Sequence, residues 1–206
     1  MKREDLLAVN LSACSRSLAF EYSELTFLAT GLTDVFAAKN NKTLRATLTH
    51  KRYAALAGEV QEKYAASLDV PLGTFLANLK SQGDRFYLCF LNPWGDCAFC
   101  QFRMSNPVHK SRKGLYLYRT GPDVVYIGRS YDPFGKRVDQ GYGKIHPKNC
   151  FRDGQSTNCH LNTLIQLNQS AIAFHVCPLD DNALIERAER ELIQRLQPLW
   201  NTALAR

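Results

Sequence analysis

A glutamate set among the apolar residues of a helical repeat is the first feature of this sequence with the type and placement for chemistry. Between residues 182 and 196, Leu184, Ile185, Ala188, Leu192, Ile193 and Leu196 fall on one arc when each residue advances a helix by about 100°. Glu189 falls inside that arc, between Leu196 and Ile193, whereas Glu191 points away with Arg187 and Glu186 lies on the border. An ionised carboxylate on a buried face is costly unless something pairs with it. Two partners would serve: a basic side chain, giving a structural salt bridge, or a divalent metal ion, giving a reactive centre.

Positive charge is local in this chain. Residues 101–150 hold ten Lys/Arg, among them Arg129, Lys136, Arg137, Lys144 and Lys148, against three acids, an excess equal to the +7 of the whole sequence. A patch of this kind suits a polyanion such as nucleic acid, with a solubilising surface as the plainer reading. The 206 residues, 45% hydrophobic and 22% charged, have an ordinary globular composition and room for one large domain or two small ones. No apolar run reaches the roughly eighteen residues of a membrane span. The mixed charges of Met1 to Asp5 make a poor signal peptide, so a cytoplasmic protein is expected. Seven cysteines, an odd number, read as free thiols in a reducing compartment. Cys97-x-x-Cys100, with Cys150 and Cys159, has the residue types for a structural zinc site; buried free cysteines are the other reading.

The elements that must position these residues change character along the chain. Residues 1–80 read as a mainly helical region, suited to DNA recognition or dimerisation: Leu6, Leu7 and Val9, then Leu25, Leu28, Leu32, Val35 and Phe36, then 53–66 and 73–80. Residues 81–108 read as a hairpin of Phe86–Leu91 and Cys97–Phe102 followed by a linker at Asn106-Pro107. From residue 109 an α/β (α+β) pattern begins. Its strands are Leu115–Tyr118, Val124–Gly128 and Ala171–Val176, with helices over 133–140, 157–169 and 182–196. Asp132 supplies an N-cap for the first of these, with proline in its first turn.

Gly114-Leu115-Tyr116, followed ten residues on by Tyr126-Ile127-Gly128, resembles the signature of the GIY-YIG nucleases, with leucine for the first isoleucine. Two tyrosine-bearing strands are common in sheet cores, so the later elements carry more of the resemblance. Arg137 matches the family's catalytic arginine on the helix after the second strand. Glu189 matches its metal ligand, and Pro198-Leu199-Trp200-Asn201 resembles its Pro-x-x-Asn ending, with Asn201 architectural. Gln140-Gly141-Tyr142-Gly143 resembles, with a shift of one residue, a segment of a restriction-enzyme-like branch, which makes Tyr142 a further catalytic candidate.

The resemblance covers about the C-terminal half. It implies a small antiparallel three-stranded sheet flanked by helices over 109–206, and hydrolysis of a DNA phosphodiester, with RNA left open. Tyr116 would be general base, assisted by Tyr126, its phenolate favoured by Arg137 and the metal. Glu189 would hold one Mg²⁺ (or Mn²⁺). Arg129, Lys136, Lys144, Lys148 and His160 would contact nucleic acid. A restriction or defence nuclease, acting as a homodimer on two-fold sites, is the expected role. A homing or repair-type nuclease, or a non-catalytic nucleic-acid binder on the same scaffold, are the alternatives. No membrane partner is expected.

Overall fold

The computed structural model describes residues 6–11 and 16–201. Its strands are β1 (Leu6–Leu11), β2 (Arg16–Tyr22), β3 (Leu25–Leu32), β4 (Phe99–Met104), β5 (Gly114–Thr120), β6 (Asp123–Ser130) and β7 (Ile172–Pro178). Its α-helices are α1 (Leu44–Leu48), α2 (Ala57–Lys63), α3 (Leu72–Ser81), α4 (Pro107–Lys110), α5 (Ser156–Leu167) and α6 (Asn182–Leu196). The chain folds as two compact units, one of Met1–Ala29, Gln101–Lys144 and Leu164–Arg206, the other of Thr30–Cys100 and Ile145–Thr163. Neither expected boundary, at 80 or at 108, falls between these units, because each is assembled from separated stretches of chain.

The first unit is built on an antiparallel sheet of order β1-β2-β7-β5-β6. The three strands expected of residues 109–206 are its β7-β5-β6 half; β1 and β2 extend it to five. Alternation along β5 sorts its side chains. Leu115 and Leu117 join Ile127 of β6 in an apolar cluster with Ile185, Ala188, Leu192 and Ile193 of α6. Tyr116 and Tyr118 take the other face, opposite Gly128 and Tyr126 of β6 and Val176 and Phe174 of β7. Helix α6 starts where the Asp181 carboxylate accepts from the Ala183 and Leu184 amides, at 2.8 and 3.3 Å. Its expected arc is buried at Leu184, Ile185, Ala188, Glu189, Leu192 and Ile193; Leu196, at the last turn, is exposed.

The second unit packs α1, α2 and α3 with short 3₁₀ turns around Phe36, Leu44, Tyr53, Leu76, Phe90 and Phe151. The start of α5 closes it.

Two local expectations fail. Residues 25–32 form a strand, not a helix, and Leu6–Leu11 and Arg16–Tyr22 are likewise extended, as β1 and β2. The leucine spacing misleads there because the inward residues are Leu25, Phe27 and Ala29, at strand period, while Leu28 is 51% exposed; Phe27 packs on Phe102 of β4, ring centroids 5.6 Å apart. The hairpin is also absent. Residues Arg85–Phe90 form a 3₁₀ turn capped by Asp84, whose carboxylate accepts from the Phe86 amide, and β4 pairs with β3 instead. Asn106, expected in a linker, caps α4 by accepting from the Val108 and His109 amides.

Strand β6 is an edge of the sheet, and Trp200 and Asn201 cover part of it. Trp200 donates its amide to the Val125 carbonyl (2.9 Å). The Asn201 side chain accepts from the Ile127 amide (2.9 Å) and donates to the Ile127 carbonyl (2.8 Å), mimicking a neighbouring strand. Replacing it leaves both backbone groups unpaired. Asn201→Ala is expected to cost about 1–3 kcal/mol, read as a lowered urea midpoint at unchanged slope; an unchanged midpoint would show that water substitutes fully.

Candidate functional site

Tyr116, Tyr126, Gly128, Arg129, Arg137 and Glu189 line one surface cleft of about 440 Å³ in the first unit, with Ser130, Tyr131 and Asp132 on its rim. Both faces of the sheet contribute, since Tyr116, Tyr126 and Gly128 lie on one and Arg129 and Glu189 on the other. They meet at the β6 edge, where Gly128 carries no side chain. A Cβ built there would stand 2.5 Å from the Tyr116 hydroxyl and ring. The glycine therefore lets the phenol lie against the β6 backbone, a packing reason for the last residue of Tyr126-Ile127-Gly128.

The tyrosine face is a dense aromatic cluster. The segment after β6 turns through the π-helical stretch Lys136–Tyr142 and returns Val138 and Tyr142 to the core. Tyr142, assigned by the loosest part of the sequence pattern, shares a 2.7 Å hydroxyl–hydroxyl bond with Tyr116. The Tyr116 and Tyr126 rings stack at 6.2 Å, and Phe134 meets Tyr116 edge-on. The Arg137 guanidinium lies 4.7 Å from the Tyr142 ring centroid. Its Nε is buried and has no hydrogen-bond partner among the described residues. A buried guanidinium N–H left unpaired beside a cleft is a donor in need of an acceptor.

Electrostatics here are set by burial. Tyr116 is fully buried, and desolvation, with Tyr142 and Tyr126 nearby, pushes its pKa well above the ordinary phenol value, although Arg137 pulls the other way. Desolvation does the same to Tyr126. In the free protein both are neutral phenols: Arg137 favours a Tyr116 phenolate, but burial outweighs it. For Arg137 burial opposes the charge, but the negative charge that Tyr116, Tyr142 and Tyr126 would carry on ionising raises its pKa, and the guanidinium stays protonated. Burial also raises the Glu189 pKa, against Arg129 and then Arg137, which lower it.

Glu189 has a side chain only 12% exposed, and Arg129 donates to it at 2.6 Å while lying over the Tyr131 ring. Arg129 is therefore the carboxylate's ion-pair partner rather than a free phosphate contact. Lys136 pairs with Asp132 at 3.1 Å on the exposed surface, and Lys144 is exposed. Lys148 belongs to the second unit, 3.6 Å from Asp153. His160, also in the second unit, is a correction. It is 8% exposed, stacked on Trp94 at 4.3 Å, and burial lowers its pKa, so it is a neutral core residue and not a nucleic-acid contact.

Among the described residues no group of three or more His, Cys, Asp or Glu is placed to hold a metal ion. The four-thiolate zinc site is not assembled. Cys150 hydrogen-bonds with Cys159, while the Cys100 thiol donates to the Asn162 carbonyl at 3.9 Å and burial pushes it up to about 12. Glu189 stands differently. A single carboxylate at a cleft suits Mg²⁺, which keeps water ligands and is completed by phosphate oxygens, provided Arg129 yields its hold.

Gly128, Tyr131 and Ser130 are site residues that sequence reasoning missed in this role. Only the first had a signal, a glycine inside a strand, which marks a close approach. No protein-family model, curated protein or solved structure matches this chain.

The phenols have a testable consequence. A folded-state pKa above the unfolded value of about 10 contributes stability that is complete below that pH and is lost as pH rises beyond it. Between about pH 8 and pH 11, the wild-type unfolding free energy is expected to fall more steeply than that of Tyr116→Phe. Equal slopes would show that Tyr116 is not held neutral.

Proposed function

We propose that this chain is a metal-dependent endonuclease that hydrolyses a DNA phosphodiester in the cleft of the first unit, on a GIY-YIG-type scaffold. The observation that carries it is the convergence of Tyr116, Tyr126, Arg137 and Glu189, distant in sequence, on one cleft. A binding groove has no need of a carboxylate so nearly buried.

The residues divide the work by what they can donate and accept. Arg137 offers its unpaired Nε–H and its charge to the scissile phosphate, where negative charge builds in the transition state. Tyr116, whose hydroxyl is held by Tyr142 at 2.7 Å, would act as general base once ionised: Arg137 and a bound cation would favour its phenolate, which would take one proton from the attacking water. Tyr126 stacks on Tyr116 and holds its ring in place. Glu189 would hold one Mg²⁺ or Mn²⁺, which when bound supplies positive charge beside the phosphate and the leaving oxygen. Lys136 and Lys144 contribute backbone attraction at the surface.

A restriction or defence role, with two copies of the chain acting on opposite strands, fits one cleft per chain. Such a pair would give linear plasmid, whereas a homing or repair enzyme would give few cuts or structure-dependent ones.

Plasmid cleavage in Mg²⁺ and in EDTA tests the reading. Wild type is expected to cut only with metal. Glu189→Gln and Arg137→Ala should each lose activity by a factor on the order of 10²–10³ while still binding DNA. Undiminished cutting by Glu189→Gln sinks the site. Salt-sensitive binding without cutting in any metal sinks the enzyme and leaves a binder.

A further inference from the structure

We propose that the second unit carries a separate recognition pocket for a phosphate monoester, formed by Lys39, Lys42, Lys148, His50 and His146. These side chains line one cavity of about 340 Å³ that lies wholly within that unit. The size is near the lower end for small-ligand sites. The proposal does not depend on the nuclease reading.

The lining is rich in donors, and its acceptors are already occupied. Asp153, its one carboxylate, accepts from the Tyr53 hydroxyl at 2.6 Å and faces Lys148 at 3.6 Å. The Asn40 side-chain oxygen accepts from the Thr74 amide at 3.0 Å, and that of Asn41 accepts from Lys39. Each histidine is fixed in the tautomer that leaves a donor. The His50 Nδ1 accepts from the Arg52 amide (3.3 Å) and the His146 Nδ1 from the Lys148 amide (3.2 Å). Each ring therefore carries its proton on Nε2.

Charge points the same way. Neither Lys39 nor Lys42 has an ion-pair partner among the described residues. Burial, then Lys148 and Lys42, pulls the Lys39 pKa down against Asp153, which raises it, so the gathered cations outweigh the one carboxylate beside them. An anion in the cavity would offset that repulsion. Donors arrive from three chain segments, around residues 39–42, 50 and 146–148. Convergence of that kind suits the three free oxygens of a monoester better than the two of a diester.

Such a group occurs on a free nucleotide or at the end of a strand. The test uses a short 3′-fluorescein oligonucleotide with and without a 5′-phosphate, titrated by anisotropy with the full chain in EDTA. The phosphorylated strand is expected to bind at least about tenfold more tightly. Lys39→Ala and Lys148→Ala should each remove about tenfold of that. Thermal melting checks that the variants fold; should Lys39→Ala melt early, Lys42→Ala, at an exposed position, takes its place. Competition by AMP and inorganic phosphate at equal potency assigns the site to free phosphate compounds, and competition only by phosphorylated strands assigns it to strand ends. Equal binding of the two oligonucleotides with no effect of AMP or phosphate, or variants that bind as wild type does, overturns the proposal. Because no divalent metal is present, the outcome is independent of whether the chain cuts.

Discussion

The Glu189 carboxylate sits on the face of α6 that packs against the sheet, and Arg129 of β6 meets it at 2.6 Å. Burying that carboxylate without a partner would cost several kcal/mol, so the pair sets how α6 lies over β5 and β6. The apolar residues around it, Ile185, Ala188, Leu192 and Ile193 against Leu115, Leu117 and Ile127, supply the packing energy. The ion pair adds a requirement those residues lack. Arg129 must reach Glu189 from the α6 face, which fixes the alternation of β6 and sends Tyr126 and Gly128 to the other face. The same register brings Gly128 opposite Tyr116, where a side chain would collide with the phenol. One charged contact and one missing Cβ thus place the carboxylate and the tyrosines on the two sides of a single edge.

Burial governs the chemistry on both sides. It raises the pKa of Glu189, Tyr116 and Tyr126 together, and only Arg129 and Arg137 oppose it. The resting cleft therefore holds neutral phenols, one ion pair and a guanidinium with a free Nε–H. Such an arrangement is poised for an incoming anion. A phosphodiester would satisfy Arg137, and a cation arriving with it would give Glu189 an alternative to Arg129.

How much of this was legible in the sequence differs from element to element, for physical reasons. Helix α6 was readable because its apolar arc has a strong period and one carboxylate inside it. Strands β5, β6 and β7 were readable because aromatic and branched residues alternate between turn signals. Residues 25–32 misled because leucines at helical spacing proved to be exposed, while Phe27 packs inward at strand period. Residues 85–90 misled because an apolar run alone does not separate a strand from a capped 3₁₀ turn. The partner of Glu189 lies 60 residues upstream, and no local pattern announces such a pair. His160 looked available because its type suits phosphate, and only the fold shows Trp94 covering it. The assembly of each unit from separated stretches was equally hidden, since it depends on long-range contacts that a linear reading does not contain.

In the proposed reaction the Glu189 carboxylate would exchange Arg129 for a divalent cation when a phosphodiester enters the cleft. Mn²⁺ binding followed by electron paramagnetic resonance, with a non-hydrolysable phosphorothioate DNA present, tests it most directly. One bound Mn²⁺ per chain is expected in the wild type, none in Glu189→Gln, and tighter binding in Arg129→Gln, where the competing guanidinium is gone. Equal Mn²⁺ binding by wild type and Glu189→Gln would contradict it and leave Glu189 as a structural ion pair.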